Sequence, residues 1–308
     1  MASDTYDVLI IGGGPAGLTA GLYASRARLT TLLLEKSALG GQVIKTERIE
    51  NYPGFVSSIS GFDLIHNLEE QAKSFGLSIT SAAAESITPL ENRVLKVASS
   101  EGEFRSRSLI IATGSEPRLL GAPGEERLTG RGVSYCATCD GAFFREKEVA
   151  VVGGGDAAIE EALFLSRLVK SVHIIHRRDQ LRAVQILQER ARAESRIAFV
   201  WNTVVEEILG DVRVSGLRLK NLKDGSSSTL TVDGVFIYVG LQPNTGWLAG
   251  LIPLTDDGLI VTNDLMETTL PGVFAAGDVR KKLLRQITTA VGDGATAAFA
   301  AEKYVQTF

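Results

Sequence analysis

One pattern occurs twice in these 308 residues, and each time it calls for a strand, a tight turn, a helix and a second strand. In the first copy the apolar run Val8-Leu9-Ile10-Ile11 feeds Gly12-Gly13-Gly14-Pro15-Ala16-Gly17. An Ala/Leu-rich stretch follows through Ala27, and the next apolar run, from Thr31 to Leu34, ends on Glu35. Gly12 permits the tight turn, Gly14 lets backbone approach a pyrophosphate, and Gly17 lets the helix lie close on the sheet. The helix then turns its unpaired N–H groups toward phosphate. Glu35 is placed to accept from ribose hydroxyls. Three glycines alone are a weak signal; with both strands and the acid in order they are a strong one.

The second copy begins at Val149-Ala150-Val151-Val152, turns through Gly153-Gly154-Gly155-Asp156-Ala157-Ala158, and continues as a predicted helix over 159–168. Its second strand, Val172-His173-Ile174-Ile175, ends on His176-Arg177-Arg178. Glu35 stands 23 positions after Gly12, and His176 stands 23 positions after Gly153. Basic groups therefore replace the acid where the ribose is read. Guanidinium forks suit a 2′-phosphate, and Arg182 adds a further positive group downstream. A solvated basic turn is the ordinary explanation for such a run, but its coincidence with the acid position favours NADPH. Two dinucleotides are expected, one held through Glu35 and one phosphorylated.

Between the copies lie the only two cysteines, Cys136 and Cys139, with Asp140 directly after the second. Two thiols at that spacing can close a small ring, and thiol–disulfide exchange needs such a pair, one sulfur to attack and one to resolve. Asp140 brings a carboxyl group to carry a proton. Half a zinc site is the competing explanation. Structural zinc needs four ligands, and His66, His173 and His176 have no ligand spacing to the pair, so no metal is expected. Thirty-two Lys and Arg against 36 Asp and Glu give a net charge of −4, which argues against broad nucleic-acid binding. The N-terminal Met1-Ala2-Ser3-Asp4-Thr5-Tyr6-Asp7 lacks the basic and apolar regions of a signal peptide. No apolar run approaches the roughly 20 residues of a membrane span. A soluble, cytoplasmic protein is expected, in a compartment where a dithiol is more often catalytic than structural.

The fold class expected is α/β, with two Rossmann-like dinucleotide-binding domains of the three-layer ββα type and the second inserted into the first. The expected boundaries are 1–117 with 246–308 for one domain and 118–245 for the other, joined by linkers near 115–124 and 241–246. Residues 61–75 read as an amphipathic helix, and short strands are expected around Phe199, Val214 and Thr229. The runs ending at Thr113-Gly114 and at Gly277-Asp278 are strands closing in small-residue turns, and an Ala-rich helix runs to Tyr304.

From about Tyr6 to Val305 the chain resembles the low-molecular-weight thioredoxin reductases, flavoproteins of bacterial and plant type. The resemblance rests on the first fingerprint with Glu35, Cys136-Ala137-Thr138-Cys139-Asp140, the second fingerprint with His176-Arg177-Arg178, and Gly277-Asp278 with Arg285-Gln286. It implies an FAD site from Gly12, Gly14, Pro15, Ala16, Gly17, Glu35, Lys36, Gly41, Gln42, Asn51, Thr113, Gly114, Gly277, Asp278, Arg285, Gln286 and Ile287, with Asp278 near the ribitol. It implies an NADPH site from Gly153, Gly155, Asp156, Ala157, His176, Arg177, Arg178 and Arg182. Cys139 would be the sulfur nearer the flavin, Cys136 the one attacking thioredoxin, and Asp140 the proton carrier. A homodimer and a hinge rotation at the two linkers are implied as well. Ala157 stands where many relatives have serine, and Ile287 replaces a smaller residue. Three other readings stay open: ferredoxin as electron donor, a different protein disulfide as substrate, and a non-catalytic nucleotide-binding protein.

Overall fold

The structure is a computed structural model that describes residues 5–46, 49–248 and 250–307, so the first four residues of the N-terminal stretch lie outside it. Two compact units divide the chain, one formed by 1–116 and 242–308, the other by 117–241.

In the first unit the strands Thr5–Ile11, Thr31–Glu35, Ser78–Ser81 and Gly102–Ile111 are parallel neighbours, with Val273–Ala275 added beside the end of the last. Leu95–Ser99 and Ala84–Pro89 continue the sheet antiparallel from the start of Gly102–Ile111. Alternation of side chains across a strand explains the layers. Val8, Ile10, Leu33, Ile110 and Phe274 face the helices Pro15–Arg26, Gly61–Ser74 and Ile287–Val305. Leu9, Ile11, Leu32, Leu34 and Ile111 face the opposite side, where Ile87, Val97, Leu248 and Ile260 cover them. A sheet buried on both faces reads as unbroken apolar runs rather than alternation, which is how these strands read.

The second unit repeats the plan. Ile197–Val200, Ser171–Ile175, Glu148–Gly153, Gly234–Tyr238 and Val133–Ser134 form a parallel sheet in that order. Helix Asp156–Ser166 packs on Val149, Val151, Ile174 and Phe236. An antiparallel sheet of Thr203–Leu209, Gly216–Asn221 and Ser227–Leu230 covers Ala150, Val152, Val235 and Ile237. These are the two Rossmann-like domains expected, the second lying within the chain of the first.

Some local expectations shift. The helix after the second turn starts at Asp156 rather than 159, because extended Gly155 serves as its N-cap and Asp156 favours the positive helix end. Val214 is not in a strand: residues 210–215 form a turn closed by the Ser215 N–H on the Leu209 carbonyl, and Val214 is buried against Gly132. Residues 118–124 are less free than a linker, since Leu120 and Gly121 donate their N–H groups to the buried Glu125 carboxylate at 2.8 and 2.6 Å. Tyr135 donates to the same carboxylate at 2.7 Å, and its burial and that bond push the phenol up to about 12. No helix among the described residues is long and apolar enough to cross a membrane.

Gly17 shows how tightly the first turn is built. A methyl group there would run into the Gly12 carbonyl oxygen. Gly17→Ala is therefore expected to cost about 1–3 kcal/mol or more by overpacking, read as a lower midpoint in thermal unfolding.

Candidate functional site

In the first unit the turn Gly12–Gly17 opens helix Pro15–Arg26. Gly12 has φ +108°, and a side chain on it would strike the Ala112 carbonyl. Pro15 occupies the first helical turn, where its missing N–H costs nothing. Space beside Gly14 is open, and no side chain caps the helix. Glu35 takes the Gly13 N–H at 2.6 Å and the Ser37 N–H at 2.9 Å, so the carboxylate at the strand end also braces the turn.

Residues far apart in sequence meet in this unit, two of them at the turn itself. Gly277, at φ +80°, comes so close to Ala16 that a methyl on it would sit 2.9 Å from the Ala16 methyl. The side chains of Asn51 and Gln286 meet at 3.0 Å across 235 positions. Gln286 also caps helix Ile287–Val305 in a reciprocal box with Thr289. Thr113 is clasped by Asn244, its hydroxyl donating to the Asn244 carbonyl at 2.9 Å and its own carbonyl accepting from Nδ2 at 2.9 Å. Asn244 lies in the stretch expected as a linker, and its Pro-Asn context signals only a turn. Lys36 makes an exposed ion pair with Glu116 at 2.8 Å, Gln42 accepts from Lys45 at 3.3 Å, and Gly41 is exposed. Arg285 is exposed close to Asp278.

Asp278 is half-buried, and its Oδ1 is shut off from solvent without a hydrogen-bond partner. Burial pushes this carboxyl above its ordinary range, while Lys282 and Arg285 pull it down. An uncapped helix end, an open cradle at Gly14 and an Asp278 oxygen whose hydrogen-bonding capacity is unused, with only the Lys282 ammonium near it at 3.6 Å, are what a flavin dinucleotide needs, so these residues fit FAD.

The second unit holds a matching turn. A side chain on Gly153 would lie 2.5 Å from the Tyr238 carbonyl oxygen, and space at Gly155 is again open with no side-chain cap. Asp156 Oδ1 accepts the Val184 N–H at 2.8 Å, and Ala157 is exposed. His176 takes an unexpected place. It is 5% exposed, its ring fills the space that a side chain on Gly154 would need, and its edge meets Trp201 at 6.4 Å. Burial, then the charges of Arg182, Arg178 and Arg177, hold it below the usual imidazole range. The three arginines are exposed and carry no ion pair among the described residues. Three free guanidinium groups around an uncharged imidazole fit a phosphate dianion.

Cys136 and Cys139 are joined in a disulfide. Cys136 is the N-cap of the single turn Ala137–Asp140 and is 9% exposed, whereas Cys139 is exposed. The Cys139 N–H donates to Cys136 Sγ at 3.2 Å. Ser134 takes the Cys136 N–H at 3.1 Å and donates its hydroxyl to Asp140 Oδ2 at 2.6 Å. Tyr238, whose phenol is pushed well up by burial and the nearby Glu161 and Asp140 carboxylates, accepts the Ala137 N–H at 2.9 Å. Neither role is legible in the sequence, Ser134 being an ordinary serine and Tyr238 the end of a strand 101 residues from Ala137. No metal-holding group of His, Cys, Asp and Glu occurs among the described residues.

Comparison with known proteins agrees with this picture. Residues 6–294 match the family described as pyridine nucleotide-disulphide oxidoreductase. A thioredoxin reductase of Listeria monocytogenes is 52% identical over 99% of this chain and 96% of its own length. One from Bacillus subtilis is 48% identical over 98% of this chain and 95% of its own. The crystal structure of Lactococcus lactis thioredoxin reductase in its FR conformation superposes with a TM-score of 0.96 at 47% identity, covering 99% of this chain and 100% of that one.

Proposed function

The chain belongs to the pyridine nucleotide-disulphide oxidoreductase family, and on that footing we propose that it is an NADPH-dependent thioredoxin-disulfide reductase with FAD as its flavin. When bound, flavin and nicotinamide supply the two-electron reduction of the Cys136–Cys139 pair, while the protein supplies position and electrostatics. We assign FAD to residues 1–117 with 246–308, and NADPH to 118–245. Open glycine cradles at Gly14 and Gly155 support both assignments. Glu35, Asn51, Thr113, Asp278 and Gln286 hold and orient the first dinucleotide. Arg177, Arg178 and Arg182 take the 2′-phosphate, with His176 packing beneath the turn rather than adding charge.

The observation that carries the reading is the Cys136–Cys139 disulfide set beside Ser134 and Asp140. In the reduced protein the Cys136 thiolate, stabilised at the N-cap by the Cys139 N–H, attacks a partner disulfide, forming a mixed disulfide and expelling one partner thiolate. The Cys139 thiolate then attacks Cys136 Sγ, closes the ring and releases the second. The two partner sulfurs take up two protons as the protein dithiol gives up two, and Asp140, tied to the Cys136 amide through Ser134, carries protons at this turn. These are the sulfur roles that the resemblance implies, with Cys139 the sulfur nearer the flavin. A groove of about 400 Å³ lined by Arg131, Ser134, Asp140 and the exposed Phe143 lies on the far side of the Asp140 turn, without either cysteine in its lining.

Thioredoxin is the partner proposed, with the protein acting as a homodimer in the cytoplasm. The test is reduction of thioredoxin by the purified protein with NADPH and, separately, NADH. Rapid, NADPH-selective turnover that depends on thioredoxin is expected; bleaching of the flavin without thioredoxin turnover would count against it. Glu35→Gln, which loses the charged acceptor of the Gly13 and Ser37 N–H groups, is expected to weaken FAD binding on the order of tenfold, measured as FAD released on dilution.

A further inference from the structure

Around the turn at Gly277 four charged side chains form one buried cluster, of which only Asp278 entered the flavin-site reading. Asp293, on helix Ile287–Val305 and 9% exposed, accepts the Gly277 N–H at 3.1 Å, Arg280 Nη1 at 3.0 Å and Lys282 Nζ at 3.0 Å. Arg280 also donates through Nε to Thr262 at 2.8 Å. The Lys282 side chain is 7% exposed, and its Nζ stands 3.6 Å from Asp278 Oδ1, the oxygen without a hydrogen-bond partner. One ammonium therefore lies between a carboxylate that is fully bonded and one that is not.

A buried ammonium is costly unless paired, so its place between two acids needs an explanation beyond stability. Arg280 already offsets the charge of Asp293. Lys282 is left to act on Asp278 as well. We propose that Lys282 is a positioning residue: its ammonium, 3.6 Å from Oδ1, holds Asp278 as a carboxylate, with one oxygen kept for the hydroxyl groups of the flavin. The inference rests on the assignment of Asp278 to the flavin site.

The charged groups acting on Asp278 oppose one another. Burial favours the protonated acid, Lys282 and Arg285 favour the carboxylate, and the like charge of Asp293 opposes it. A protonated acid loses part of its acceptor capacity, so the grip on flavin is present above the Asp278 pKa and is lost as pH falls through it. Removing the lysine charge moves that loss to higher pH. Removing the Asp293 charge deletes a repulsion and moves it lower.

The test follows FAD released from the purified, flavin-loaded protein on dilution between pH 9 and 5, with thermal unfolding recorded alongside. Lys282→Met is expected to raise the midpoint pH of release by about one unit or more, the effect of one opposite charge at this range. Lys282→Arg restores the original midpoint, and Asp293→Asn lowers it. A purely structural role would move both charge-removing variants the same way as they lose stability. That outcome, or unmoved midpoints beside an effect of Asp278→Asn, overturns the inference alone. Unchanged release from Asp278→Asn overturns the flavin-site reading and the inference with it.

Discussion

Cys136→Ser and Cys139→Ser are each expected to lower NADPH-dependent thioredoxin reduction by on the order of a thousandfold or more, because groups acting as a unit fail together. The yellow colour should persist in both, since neither sulfur belongs to the residues proposed to hold flavin. The two variants part company toward a small aromatic disulfide under single-turnover conditions. Cys139→Ser retains Cys136, the N-cap sulfur that accepts a backbone N–H, and should react quickly, releasing a coloured thiolate. Cys136→Ser retains only the resolving sulfur and should react more slowly. Equal rates, or the reverse order, would give the attacking role to Cys139. Full thioredoxin turnover in either variant would end the disulfide-exchange reading altogether.

Alanine in place of Arg177, Arg178 or Arg182 is expected to lower kcat/KM for NADPH about 10- to 100-fold each, given about 1.5–3 kcal/mol per charge-assisted contact. The value for NADH should hardly move, because it offers no 2′-phosphate. Steady-state kinetics with both nucleotides at low and high salt will measure this, and the loss should be smaller in salt, where exposed charges are screened. A parallel drop for NADH would mean that the arginines shape the turn rather than read the phosphate. His176→Asn, by contrast, should lower stability before selectivity, since the ring packs under Gly154.

Much of this was legible in one dimension because local rules set it. Apolar runs of four or five residues, glycines at fixed offsets and a 23-residue interval to Glu35 or His176 specify two dinucleotide folds before any contact is known. The cysteine spacing specifies a closable ring, found closed at a Cα separation of 5.4 Å. Each feature depends only on neighbours within one turn or one strand–turn–helix–strand unit, where chain geometry leaves few choices.

What spacing cannot carry is the charge and exposure of a side chain after folding. His176 counts as a base in the sequence, yet burial leaves it neutral under Gly154. The two cysteines are equivalent in the sequence until one is turned inward as an N-cap. Asn51 and Gln286 meet across 235 positions, and Lys282 finds Asp293 only because the last helix returns to the turn at Gly277. Local chain geometry determined which dinucleotide folds form; long-range packing decided which groups meet water, which keep their charge, and which distant side chains come together.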